Sequence, residues 1–421
     1  MSTWTTHAAR NVPKFYVRAV PRSLRRYVPS SVRVDAVVKS NKKKKMRATA
    51  VEKTHVGFSG WTKLGSGTYA DVFSCVHDGS GERVAIKRVR RHLTAQGVDV
   101  PTLRELKALQ EFAQTAHPNV LRLLGFFFSS GFDSARGAAS AVHMALEFCP
   151  AGDLQGVIDD RATLLPPADV KAYMSMALAG LAHCHAHWVL HLDLKPANLL
   201  IGPGGQLKIA DFGLARLYAG ERAERFQTNV VTLPYRAPEL LFGAREFDGA
   251  VDTWAMGCIF AELMLQQRFF TIRSGAVTPG WAESKAQLEA IFSVMGTPIT
   301  ENTTFAESKS GGGAALGEAA SASAAAASAS GAGTGAGAER RQWPSAPTLP
   351  AFAQFAPCDG ISLARCFPAA TPAALALLEE LLMFDPARRA DAKHALGSAF
   401  FGEAPDATAA SALAAYRKHD C

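Results

Sequence analysis

The stretch His191-Leu192-Asp193-Leu194-Lys195-Pro196-Ala197-Asn198, followed by Asp211-Phe212-Gly213, decides how the rest of the chain is read. It sets carboxylates, a lysine and an asparagine at short intervals among apolar residues. Moving a phosphoryl group asks little covalent help of a protein. It asks for a carboxylate that orients an acceptor hydroxyl and takes its proton, and for oxygen ligands that hold Mg2+ on the phosphates. Asp193 has the first character, and Asn198 and Asp211 have the second. Lys195 can neutralise charge that grows on the γ-phosphate. Any one of these aspartates alone would be an ordinary turn residue; the set at its spacing carries the reading.

Upstream, Leu64-Gly65-Ser66-Gly67-Thr68-Tyr69-Ala70-Asp71-Val72 is a glycine loop between strand-like segments. Glycines let backbone amides approach phosphate oxygens without a Cβ in the way. A dinucleotide site would need a helix directly after such a loop. Here Val72-Phe73-Ser74-Cys75-Val76 reads as a second strand, which excludes that alternative. Val84-Ala85-Ile86-Lys87 follows. A lysine inside an apolar strand needs a partner, or its desolvation costs several kcal/mol. Glu105 is that partner, on a helix predicted to open at Pro101 and to carry Leu103, Leu106, Leu109 and Phe112.

These motifs together resemble the protein kinases, and Ala237-Pro238-Glu239 completes the likeness, which covers residues 57–405. The resemblance implies an α+β fold of two lobes: a small antiparallel sheet with one helix (57–149) and a larger, mainly helical lobe (150–405). It implies a serine/threonine kinase using ATP and Mg2+, with Asp193 and Lys195 catalytic and Asn198 and Asp211 on the metal. ATP would meet Leu64, Gly65, Ser66, Gly67, Thr68, Tyr69, Val72, Ala85, Lys87 and Glu105. Adenine would bond to the backbone of Glu147 and Cys149 behind a gatekeeper, Leu146. Glu239 is expected to pair with Arg389, and Asp252 to support the catalytic loop.

Finer features resemble the cyclin-dependent kinases: Thr102-Leu103-Arg104-Glu105-Leu106-Lys107, Tyr235-Arg236-Ala237-Pro238-Glu239-Leu240-Leu241-Phe242-Gly243-Ala244 and Gly296-Thr297-Pro298. Residues 103–111, 195–201 and 205–211 are similar to both the CDK-activating kinase and the cell-cycle-related kinase, and the reading leans to the latter. A cyclin-like activator, protein substrates and a role in cell-cycle or ciliary regulation are what this likeness implies. Thr68 and Tyr69 stand where relatives are phosphorylated to switch ATP use off. Four departures bear on regulation and substrate choice. Leu192 replaces the arginine of the His-Arg-Asp motif, and Gln227 replaces the phosphorylated threonine, with Thr228 beside it. Pro234 replaces a tryptophan, and the hinge Glu147–Asp153 is one residue longer. Leu192 keeps open a rival reading, a pseudokinase that scaffolds a complex.

Outside this region the sequence changes character. Residues 1–56 hold fourteen Lys/Arg against two acids, whereas the whole 421-residue chain is only +8. The remainder is therefore mildly acidic, so nucleic acid is not an expected partner of the kinase region. Three readings of this tail stay open. Its Arg-rich, acid-free start is like an organelle transit peptide, Asn41–Arg47 is like a nuclear-import or polyanion-binding run, and the third reading is a solvated, disordered extension with no address. Nucleus and/or cytoplasm is the expected location. Residues 299–341, dominated by Ala, Ser and Gly, read as a disordered insertion, and 406–421 as a C-terminal tail. The seven scattered cysteines show no metal-ligand spacing and read as reduced thiols. No stretch is apolar enough to span a membrane.

Overall fold

The computed structural model describes residues 57–67, 70–89, 99–133, 137–218, 231–272, 280–300, 339–352 and 355–415. The chain forms two compact units, 1–156 with 179–219 and 408–421, and 157–178 with 220–407. In the first, strands β1 (Phe58–Ser66), β2 (Ala70–His77), β3 (Arg83–Val89), β4 (Leu123–Asp133) and β5 (Gly137–Glu147) form an antiparallel sheet in the order β1-β2-β3-β5-β4. Side-chain alternation gives the sheet two different faces. Val84 and Ile86 join Phe58, Cys75, Leu124, Phe127 and Ala145 in a core on one face. Ala85 and Lys87, between and beside them, line a cleft on the other.

Helix α1 (Val100–Thr115) follows β3 in sequence. Asp99 caps it, accepting from the Thr102 amide at 2.8 Å, and Pro101 sits in the first turn where its missing N–H is not needed. Leu106, Leu109 and Phe112 are buried, but Leu103 is exposed, against the expected pattern. Each step of three residues falls about 60° short of a full turn, so three such steps carry the first leucine off the buried stripe. Phe112 packs on Phe212 with ring centroids 5.2 Å apart. The short pairs β6 (Val189–Leu190) with β9 (Arg216–Leu217), and β7 (Leu199–Ile201) with β8 (Leu207–Ile209), frame the catalytic stretch.

The remaining helices are α2 (Leu154–Asp159), α3 (Pro167–Ala186), α4 (Pro238–Leu241), α5 (Ala250–Leu265), α6 (Trp281–Met295), α7 (Leu363–Cys366), α8 (Pro372–Leu381), α9 (Ala392–Leu396) and α10 (Ala410–Ala415). In the second unit α5 is buried from Val251 to Leu263. Trp254 stacks between Phe270 and Phe384, at 6.0 and 6.1 Å. Glu262, the acid in this apolar helix, accepts from the Tyr235 hydroxyl at 2.8 Å. Gly296 of Gly-Thr-Pro closes α6 at φ +80°, and a Cβ there would lie 2.7 Å from the Asp359 carbonyl oxygen, so only glycine fits. Ile299 bridges Gln342, which joins the two ends of the predicted insertion. Residues 301–338 of that insertion, and the tail 1–56, lie outside the described residues.

Candidate active site

The first unit contains a cleft of about 810 Å3 beneath the sheet. Leu64, Gly65, Gly67, Val72 and Ala85 form its roof, and Leu146, Glu147 and Cys149 line its hinge side. Lys87, Glu105, Asn198 and Asp211 complete the polar end. Ser66 is not part of this lining; its hydroxyl donates instead to Asp71 Oδ1 at 3.0 Å. Thr68, Tyr69, Gln227 and Thr228 lie outside the described residues.

Lys87 Nζ lies 2.7 and 2.9 Å from the two oxygens of Glu105 and 2.9 Å from Asp211 Oδ1. Burial by itself would lower the lysine's pKa; the charges of Glu105 and Asp211 outweigh it and hold the pKa raised. Asp211 shows the complementary balance. Burial raises its pKa, but Lys87 more than offsets this and leaves it below the ordinary value. Glu105 is itself almost wholly buried, and burial pushes its pKa up against the pull of Lys87. One cation thus faces two carboxylates, so with both ionised the group is net negative and would take a phosphate only together with a further cation.

The catalytic stretch is held by a relay of short polar contacts. Asp193 Oδ2 accepts from Lys195 Nζ at 2.7 Å and from Asn198 Nδ2 at 3.2 Å, and Asn198 Nδ2 also donates to the Asp193 carbonyl at 2.8 Å. The Asp193 amide donates to His191 Nδ1 at 3.2 Å, so Nε2 carries the proton given to the Ala210 carbonyl at 2.9 Å. The sequence reading did not single out His191. Its place one residue before Leu192-Asp193 was the available signal, and burial with two backbone contacts is what gives it a positioning role. Leu192 and Asp211 both adopt left-handed backbone, φ +62° and +63°. That geometry costs a non-glycine residue about 1–2 kcal/mol, and full burial of Leu192 offsets it.

The hinge is fixed from behind. Glu147 Oε1 accepts from the Arg122 amide at 2.7 Å and from Lys208 Nζ at 3.0 Å. The side chain is thereby committed, leaving backbone groups of the hinge for an adenine edge. Burial, with Glu147 adding to it, pushes the Cys149 thiol up to about 12, so this cysteine is an inert wall. For Mg2+, Asn198 has its amide nitrogen committed to Asp193 and offers only oxygen, and Asp211 supplies a carboxylate kept ionised by Lys87. One or two such oxygens plus substrate phosphates is the donor set that Mg2+ takes. Among the described residues no cluster of three His, Cys, Asp or Glu could hold a metal by itself. In the second unit, Glu239 pairs with Arg389 as the resemblance implies, and Asp252 is buried in the first turn of α5.

The family model for the protein kinase domain matches residues 58–401. Cyclin-dependent kinase D-1 of Arabidopsis thaliana is 38% identical over 345 residues, which span 82% of this chain and 71% of the relative. Cyclin-dependent kinase 7 of Dictyostelium discoideum is 36% identical over 342 residues, 80% and 78% of the two chains. Among solved structures, a chain of the CAK complex of Chaetomium thermophilum bound to ATP-γ-S superposes with a TM-score of 0.65 at 30% identity, covering 84% of this chain and 94% of that one. These likenesses support the CDK-activating branch and correct the lean toward the cell-cycle-related kinase. No observation favours the pseudokinase alternative.

Proposed function

The chain belongs to the protein kinase family, and within it to the cyclin-dependent kinases, and from that premise we propose how its site works. It is an ATP-dependent serine/threonine kinase. Our reading is that Asn198 and Asp211 would hold Mg2+, that Asp193 orients the acceptor hydroxyl and takes its proton, and that Lys195 balances charge on the moving phosphoryl group. The observation that carries this is the joined set Lys87–Glu105–Asp211, with Nζ–O distances of 2.7 to 2.9 Å. Bound metal would neutralise phosphate charge; the protein's own residues orient and exclude water.

A cyclin-type partner bearing on α1 is the second part of the proposal. It is supported by the names of the relatives and by Val100 and Leu103, large apolar residues of α1 that face solvent at 55% and 45% exposure. The basic run Asn41–Arg47, of the nuclear-import kind, supports a nuclear site of action. The test is phosphorylation of a peptide library with and without Mg2+ and with and without candidate cyclins, using Asp193→Asn as the inactive control. Mg2+-dependent transfer to serine or threonine, raised by a cyclin, is expected. Transfer that ignores both additions would overturn the proposal.

A further inference from the structure

The outer face of the glycine loop carries a charge cluster that the nucleotide chemistry does not account for. Asp71 stands near the start of β2, one residue before Val72, which lines the cleft. Alternation turns Asp71 to the other face, with Phe73 and Cys75. Its side chain is only 8% exposed, yet three donors converge on it. From β1, Ser66 Oγ donates to Oδ1 at 3.0 Å and Lys63 Nζ stands 3.0 Å from the same oxygen. From β3, Arg88 Nη2 lies 3.6 Å from Oδ2, with its guanidinium 4.9 Å over the Phe73 ring. The backbone register sets this up, because Ser66 pairs with Asp71 and Asp71 with Arg88.

A carboxylate taken this far out of water needs such company. The placement matters because the described glycines of the loop bring no side chains to hold it. Gly65 and Gly67 carry no side chains, and a Cβ built at Gly65 would touch nothing within 4 Å. At the described part of the tip, Gly67 N donates to the Ala70 carbonyl at 2.8 Å. The root of the loop, where β1 pairs with β2 and β2 in turn with β3, is therefore where its height over the phosphates is set.

We propose that Asp71 is a positioning residue for ATP: it clamps Ser66, and with it the loop, from the face that the nucleotide never touches. Lys63 and Arg88 keep the clamp charge-balanced. This rests on the kinase reading of the cleft and adds a determinant of ATP affinity to it. A loosened loop lowers grip on the phosphates before it alters the reacting geometry at Asp193, so the effect falls on KM for ATP rather than on kcat.

The experiment uses the full chain with Asp71→Val, Asp71→Asn and Ser66→Ala, read by steady-state kinetics, by direct calorimetric binding of Mg2+-ATP, and by thermal unfolding without nucleotide. Asp71→Val should raise KM for ATP and the dissociation constant about 5- to 10-fold, the scale of one ordinary net hydrogen bond lost from the loop's support. Its kcat and peptide KM should stay within about twofold, because Asp71 touches none of the reacting atoms. Asp71→Asn keeps an acceptor for Ser66 and should recover most of the loss; Ser66→Ala should show a part of it. The proposal is overturned if Asp71→Val leaves nucleotide affinity unchanged. It is also overturned if affinity, kcat and thermal stability fall together and Asp71→Asn fails to separate them. Should the wild type bind ATP yet phosphorylate nothing, the kinase reading fails while the calorimetric comparison still judges Asp71.

Discussion

Arg389 and Glu239 meet across 150 residues of chain as a two-pronged pair, with Nη1–Oε1 at 2.7 Å and Nη2–Oε2 at 3.0 Å. Their side chains are 0% and 4% exposed. The guanidinium also donates to the carbonyls of Met383, Ala250 and Phe384, and lies 5.2 Å over the Trp254 ring. Such a fork cannot be replaced by a lysine point charge. Removing one partner leaves the other charged and dry, which costs about 3–5 kcal/mol. Both Glu239→Gln and Arg389→Lys should therefore lower the chemical denaturation midpoint sharply. A midpoint equal to wild type in both would show that the pair adds nothing to the stability of this unit.

Asp193→Asn should keep ATP affinity and lose at least about 100-fold in turnover, the scale of a positioned base and charge stabiliser. The amide retains an oxygen for Lys195, so the loop should fold as before. Lys87→Met should differ in kind: it strands Glu105, which is almost wholly buried, and disturbs nucleotide binding as well as turnover. Wild-type turnover in Asp193→Asn, measured with saturating ATP and peptide, would remove the proposed base.

Acid should loosen the first unit through a histidine stack. His183 lies 4.8 Å from His117 and 4.3 Å from His187, and its Nε2 is 3.3 Å from Thr115 Oγ1. Burial, then the charges of His187 and His117, depress its pKa to about 4. His117 is lowered too, by burial and then by Lys208. In the unfolded chain a histidine titrates near its ordinary value of about 6.5. Between about 6.5 and 4 the unfolded state thus binds more protons, so stability is full above that window and falls as pH drops through it. The expected result is a Tm that declines across this range and declines less in His183→Gln. Identical slopes in the two proteins would assign the acid sensitivity elsewhere.

The phosphate-handling residues were legible because they sit at fixed spacings along the chain, and local sequence suffices to see Asp193, Asn198 and Asp211 as a set. Lys87 with Glu105 was legible for a related reason: an apolar strand cannot carry a lysine without an acid. Asp71 was quoted in the sequence without a role, since its partners Ser66, Lys63 and Arg88 come from two other strands and only sheet register brings them together. The histidine stack was hidden likewise, as His117 and His183 meet only when α1 and the end of α3 are in place. Leu103 was misassigned because a run of three-residue steps looks periodic but rotates off the buried face. The lean between branches rested on motifs common to both, so local sequence did not separate them; the relatives named above favour the CDK-activating side.

Activity should not depend on a phosphate at the family position of the activation segment. In the kinases this chain resembles, a phosphothreonine there gathers three arginines, whose counterparts are Arg104, Leu192 and Arg216. Gln227 stands at the acceptor position and takes no phosphate. One of the three receptors is therefore a leucine, and that leucine is completely buried. The two losses fit each other, because a buried arginine without its anion would be a costly unpaired charge, whereas leucine fills the space. Arg216 is already engaged, donating from Nη1 to the carbonyls of Leu214 and Ala215 at 2.7 and 3.1 Å. Thr228, one residue on, is the alternative acceptor. Phosphatase treatment of the active protein should leave turnover within about twofold, and Thr228→Ala should do the same, since neither touches the catalytic set. A tenfold or greater fall in either, with unfolding midpoint unchanged, would mean that a phosphorylated loop still governs this kinase.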